Sequence, residues 1–116
     1  MTNFKRGDVV LVHFPNSSLE ATKKRPALVV QTDALGTGLP QVVVVMISSN
    51  LNRRDHPSRV FIARQSPTGA ASGLLTDSVV MADNLATVLG GLLERRIGSL
   101  ADMAAVDAAL RHTLAL

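Results

Sequence analysis

Gly7-Asp-Val-Val-Leu-Val-His-Phe-Pro15, a polar stretch, and then Lys23-Lys-Arg-Pro-Ala-Leu-Val-Val30 decide how this chain folds. Two short apolar runs rich in β-branched residues, punctuated by Pro15 and Pro26, predict two strands over Val9–Phe14 and Ala27–Thr32 joined by a loop. That loop is expected to carry Glu20, Lys23, Lys24 and Arg25, a carboxylate and three cations on a surface connection between rigid strands. Arg25 is further constrained because a residue before proline is pushed into extended backbone. An arginine launched from such a corner is placed to meet a phosphate or a carboxylate.

Working outward, Leu35-Gly-Thr-Gly-Leu-Pro40 is rich in turn residues, and Gln41–Ser48 holds a continuous apolar run that reads as a strand buried on both faces. Asn50–Pro57 is a polar, basic loop, Arg59–Ala63 a short strand and Gln65–Gly73 a further loop. Asp77–Ala82 predicts a fifth strand that Leu85–Val88 extends, and Glu94–Gly98 a last short one. Ser99 and Asp102 form an N-capping signature. After it Leu100, Met103, Val106, Leu110 and Leu114 recur at helical spacing, an apolar stripe for the core or for a dimer contact. The expected fold is therefore mainly β with a C-terminal α-helix, a single domain over residues 1–116 shaped as a small half-open barrel.

Composition removes several functional classes. With only 3% aromatic residues and neither Trp nor Tyr, a platform of successive aromatics for single-stranded nucleic acid is excluded. With no cysteine, so are a disulfide framework and thiolate-bound zinc. Lys5, Arg6 and Asp8 interrupt any leader-like apolar run, and no stretch has bilayer-spanning length, so a soluble cytoplasmic protein is expected. The charge is lopsided. Residues 1–64 carry nine Lys and Arg against four acids, whereas residues 65–116 carry three against five. A basic first half suits either a polyanionic partner or a solvated basic surface. The three histidines, His13, His56 and His112, are too scattered for a metal signature.

Gly7-Asp-Val, Lys24-Arg-Pro-Ala-Leu-Val-Val30, Val45-Met-Ile-Ser48, Gly73-Leu-Leu-Thr-Asp-Ser-Val-Val-Met-Ala-Asp83 and Arg96-Ile-Gly-Ser-Leu100 follow one another in the order of a known family. Across essentially the whole chain the sequence resembles the MazF/PemK/Kid toxins of type II toxin–antitoxin systems. The resemblance implies an SH3-like half-open β-barrel and a homodimer. It also implies a sequence-selective endoribonuclease that needs neither metal nor cofactor, cleaves single-stranded mRNA and is neutralised by a cognate antitoxin protein.

The resemblance assigns roles residue by residue. Arg25 matches the arginine before proline that stabilises phosphorane charge, a task for which a planar guanidinium fork is suited. Ser48 stands where many members have threonine, and its neighbour Ser49 competes for that hydroxyl role. Glu20 matches a loop glutamate used as base in some relatives, with an exposed loop acid as the other reading. Asp83 matches an aspartate used in catalysis or substrate binding, with a turn-forming aspartate as the other reading. RNA contact is expected of Asn16, Ser17, Lys23, Lys24, Ser49, Asn50, Arg53, Arg54, His56, Arg59, Asp77 and Ser78. One branch of the family has arginine and histidine where this chain has Met81 and Leu19. This chain therefore looks closer to the branch built on an arginine and a hydroxyl. The alternatives are a gyrase-binding toxin of the CcdB type, which the missing tryptophan weakens, and a degenerate member that binds RNA or antitoxin without cutting.

Overall fold

The computed structural model describes residues 4–15 and 22–116. Asp8–Pro15 (β1), Thr22–Val29 (β2), Gln41–Ser48 (β3), Arg59–Ile62 (β4), Ser78–Leu89 (β5) and Leu93–Ser99 (β6) form one sheet in the order β4-β5-β3-β2-β1-β6. Every pairing is antiparallel. Two helices complete the fold, a short one at Pro67–Ser72 (α1) and a C-terminal one at Ala104–Leu114 (α2). A 3-10 turn at Gly90–Leu92 links β5 to β6. Among the described residues no helix is long and apolar enough to cross a membrane.

Strand alternation divides the apolar residues into two clusters. Val9, Leu28, Val45, Ile47, Val80, Leu100 and Val106 gather on the face that α2 covers. Val10, Val12, Ala27, Val29, Val44, Met46 and Leu93 gather on the other. Because β3 feeds both, its run of valines is buried to either side, as the sequence predicts. Backbone lies on backbone where α1 meets β6. A Cβ on Gly98 would come within 2.4 Å of the carbonyl oxygens of Ala71 and Ser72. Gly73, at φ 73°, caps α1 in a left-handed conformation against Ile97.

Three elements differ from the sequence reading. β2 begins at Thr22, so Lys23, Lys24 and Arg25 stand on a strand and not in the loop. Pro26 does not delay that strand, because the β2–β3 ladder starts at Ala27 and the missing N–H costs no bond on that side. Gln65–Gly73 contains α1, closed by Ser66, whose Oγ accepts the Gly69 N–H at 2.9 Å. The C-terminal helix starts at Ala104, not after Ser99, because Ser99 pairs with Asp8 as the last residue of β6. Asp102 instead accepts the Ala104 N–H at 2.9 Å. Within the predicted stripe Leu100 and Val106 are buried, whereas Leu114 is 49% exposed.

Candidate functional site

The site is assembled on the sheet face opposite α2, at the end of β3 where the polar loop begins. Paired residues of an antiparallel sheet share a face. Arg59 pairs with Met81, Met81 with Met46, Met46 with Ala27 and Ala27 with Val10, giving one row across the sheet. The next row on the same face runs Phe61, Val79, Ser48. Extending the β2–β3 register by two residues sets Arg25, which pairs with Val12, level with Ser48. Two expected site residues thus end up on neighbouring strands although far apart in sequence. Arg25 is exposed and Ser48 half-buried.

A cleft of about 540 Å³ opens beside Ser48, lined by Ser48, Asn50, Asn52, Arg53, Arg59 and Met81. The Ser48 Oγ accepts the Asn50 N–H at 3.0 Å, which leaves its own hydrogen to donate. Asn50 in turn accepts the Asn52 N–H at 3.0 Å through its Oδ1, an Asx turn that leaves its amide NH2 to donate. Arg53, Arg54 and His56 are exposed on the same loop. His56 Nδ1 accepts the Ser58 N–H at 3.1 Å and lies 2.7 Å from the Ser58 Oγ.

Across the cleft floor, a bulge in β5 delivers Asp83. The β3 partner jumps from Leu85 opposite Val45 to Met81 opposite Met46, leaving Ala82, Asp83 and Asn84 out of that ladder. The Asp83 carboxylate meets Arg59, with Nη2 donating to Oδ2 at 3.2 Å and Nε 2.8 Å from Oδ1. The Nε hydrogen is not aligned on that oxygen, so the shorter contact is Coulombic and only the longer one is a hydrogen bond. Desolvation pushes the Asp83 carboxyl up. The hydrogen bond and charge of Arg59, helped by its own backbone and by Ser58, outweigh that push and hold it below the ordinary carboxylate value.

Other expected residues fall elsewhere. The Lys24 Nζ donates to Glu94 Oε1 at 2.9 Å, and His13 Nε2 lies 3.7 Å from the same carboxylate. That hydrogen bond from Lys24, ahead of its charge, holds Glu94 below its ordinary value despite some desolvation. Alternation along β2 turns Lys24 to the face opposite Arg25. Asp77 accepts the Arg64 N–H at 2.8 Å and lines a separate hollow with Ala63, Gln65 and Thr76. Ser78 is buried, its hydroxyl donating to the Thr76 carbonyl. Ser49 is exposed beside the cleft lining. Lys23 lies on β2, and Asn16, Ser17 and Glu20 lie outside the described residues. Sequence reasoning missed Asn52, Met81 and Phe61; counting by two from Arg59 along β4 finds Phe61 on the site face.

Comparison with known proteins agrees with this fold. The sequence model of the PemK-like, MazF-like toxins of type II toxin–antitoxin systems matches residues 5–114. An endoribonuclease from a mycobacterial species is 25% identical and superposes with a TM-score of 0.74, covering 100% of this chain and 95% of its own. A mycobacterial endoribonuclease solved in complex with its cognate antitoxin is 26% identical, with a TM-score of 0.72 over 97% of this chain and 96% of its own. The Mycobacterium tuberculosis toxin MazF-mt6, at 24% identity, shares the fold with a TM-score of 0.72 over 94% of this chain and 97% of its own.

Proposed function

Because the chain belongs to the PemK-like, MazF-like family of type II toxin–antitoxin toxins, we propose that it is a metal-independent endoribonuclease that cuts single-stranded RNA and is held inactive by a cognate antitoxin. The observation that carries this reading is the β2–β3 register, which sets Arg25 level with Ser48, a residue that lines an amide- and arginine-bearing cleft.

The reaction uses the substrate's own nucleophile. A base removes the 2′-hydroxyl proton, the 2′-oxygen attacks phosphorus, and the P–O5′ bond breaks. The departing 5′-oxygen takes a proton, leaving a 2′,3′-cyclic phosphate and a 5′-hydroxyl. Charge accumulates on the non-bridging oxygens in the transition state, and a guanidinium fork meets two of them at once. Arg25 has that role, with proton donation to the leaving oxygen as a second task. The Ser48 hydroxyl, whose hydrogen is free, donates to a phosphate oxygen or to the 2′-oxygen. Glu20 remains the candidate base.

The sheet supports a half-open barrel reading, since its second cluster is buried although the C-terminal helix lies on the opposite face. A homodimer suits Leu35, Leu39 and Leu89, exposed apolar residues around the turn where Gly90 N–H reaches the Pro40 carbonyl. An acidic, amphipathic antitoxin segment and RNA would share the cationic corner, in the cytoplasm where mRNA is found.

The test is incubation of a long natural RNA with purified protein in EDTA, beside Arg25→Ala. Discrete cuts that the variant fails to make support the proposal. Intact RNA in the presence of correctly folded wild-type protein overturns it for that substrate.

A further inference from the structure

The proposed chemistry uses Arg25 and Ser48 and leaves a second guanidinium in the same cleft without a task. Arg59 is half-buried, its side chain 17% exposed, and it is fixed rather than free to wander. Asp83 takes it side-on, through Nε and Nη2. Side-on capture occupies one edge of the guanidinium plane and leaves the Nη1–Nη2 end, which presents two parallel N–H groups. Among the described residues no acceptor is paired with Nη1. Arg59 shares the cleft lining with Ser48, Asn50 and Asn52.

Two features mark what this fork is built to meet. The pair carries no net charge, so its attraction for phosphate is weak compared with that of Arg25, while its paired donors keep their direction. One row along on the same face, Phe61 is 39% exposed and the Arg54 guanidinium lies 5.3 Å from its ring centroid. Such a layered edge is a surface on which an unstacked base rests. A fixed two-donor fork next to a stacking surface selects a base with two adjacent acceptors. Guanine offers O6 and N7, two acceptors side by side, whereas adenine pairs an acceptor with a donor and uracil sets a donor between its two acceptors. Cytosine has such a pair in N3 and O2, but the larger guanine ring covers more of the Phe61 edge.

We propose that Arg59, oriented by Asp83, reads a guanine at a fixed position beside the scissile phosphate, with Arg54 and Phe61 supporting the base. Asp83 is then a positioning residue: it aims the fork and does not touch the RNA. The inference rests on the ribonuclease reading for its place beside a cut, but recognition itself is measured without cleavage.

The experiment uses wild-type protein and 2′-O-methyl oligouridines, which lack the nucleophile, each carrying one guanine at a different position. Fluorescence anisotropy is expected to find one position at which guanine tightens binding by roughly tenfold or more over adenine. The gain should vanish with 7-deazaguanine, which lacks the N7 acceptor, and persist with inosine, which keeps O6 and N7. In Arg59→Gln and in Asp83→Ala the guanine preference should fall to about onefold, with circular dichroism showing folded protein. Equal binding of guanine and 7-deazaguanine at every position overturns the proposal without any variant, and so does a preference that survives Arg59→Gln. Failure of the nuclease reading appears separately, as intact RNA in the EDTA assay, and leaves the base preference standing or falling on these binding ratios.

Discussion

The two faces of the sheet are made from the same strands and serve opposite ends. Under α2 the side chains are Val9, Leu28, Val45 and Val80, packed with Val106 of the helix itself, all essentially removed from solvent. Beyond its valine cluster, the other face carries Arg25, Ser48, Arg59 and Phe61 at one corner. Three residues of that corner have a neighbour packed on the covered face: Ser48 follows Ile47, Arg59 precedes Val60, and Phe61 precedes Ile62. Period-two alternation lets the covered face fix the backbone while the open face holds groups that a core would reject. The open face therefore gains its rigidity from the back of its own strands.

Breaking the covered face should have the largest effect. In Gly98→Val the new Cβ would stand 2.3 Å from the Ser72 backbone, which no rotamer relieves. A loss of about 4 kcal/mol or outright failure to fold is expected, read by thermal denaturation. A melting temperature near that of wild type would show that α1 and β6 are not held as closely as described. Arg25→Ala probes the open face alone. Cleavage should slow by about 10²–10³-fold, while stability stays within about 0.5 kcal/mol, measured by single-turnover kinetics and denaturation on the same sample. A matching loss of stability would mean that the two faces do not divide their labour. For Ser48→Ala, the loss of one hydrogen bond to a charged oxygen predicts about a tenfold fall in rate, with Ser48→Thr retaining activity.

The smallest expected effect concerns pH. Asp83 has a folded value below its ordinary 3.8. Its contribution is thus fully present above the unfolded value and is lost as pH falls through the lower folded one. The stability difference between wild type and Asp83→Asn should stay constant from neutrality down to the ordinary carboxylate range and shrink only below it. Because the Asp83 side chain is 38% exposed, that difference should be a few tenths of a kcal/mol. A difference that already fades near neutrality would sharpen the comparison in the other direction, making Asp83 a titrating group of the site.

Much of the fold was legible because the signals were local. The apolar run of β3 gave both of its boundaries, and the polar break at Asp83-Asn84 between two apolar stretches foreshadowed the bulged β5. Where local signals competed, strand pairing won. Ser99 has the chemistry of a helix cap, yet the pairing with Asp8 draws it into β6. The short helix α1 was overlooked although Ser66-Pro67 and Gly73 form a complete start and stop. Arg25, Ser48 and Asp83 emerged through family resemblance, and their placement at one corner depends on register between distant strands. The Arg59–Asp83 pair spans 24 residues of sequence and depends on the bulge, so no spacing rule announces it.

That bulge has a consequence for how such a protein can change. Asp83 and Asn84 form an exposed, unpaired segment in an otherwise paired strand, preceded by the buried Ala82, whose N–H is anchored on the Ser58 carbonyl at 2.9 Å. A segment of this kind separates the sequence of a recognition element from that of the scaffold. Residues can be exchanged, added or removed there while Met81 and Leu85 keep their partners on β3. A lineage could retune what the corner accepts by editing these two positions, leaving both hydrophobic clusters and the Arg25–Ser48 register untouched.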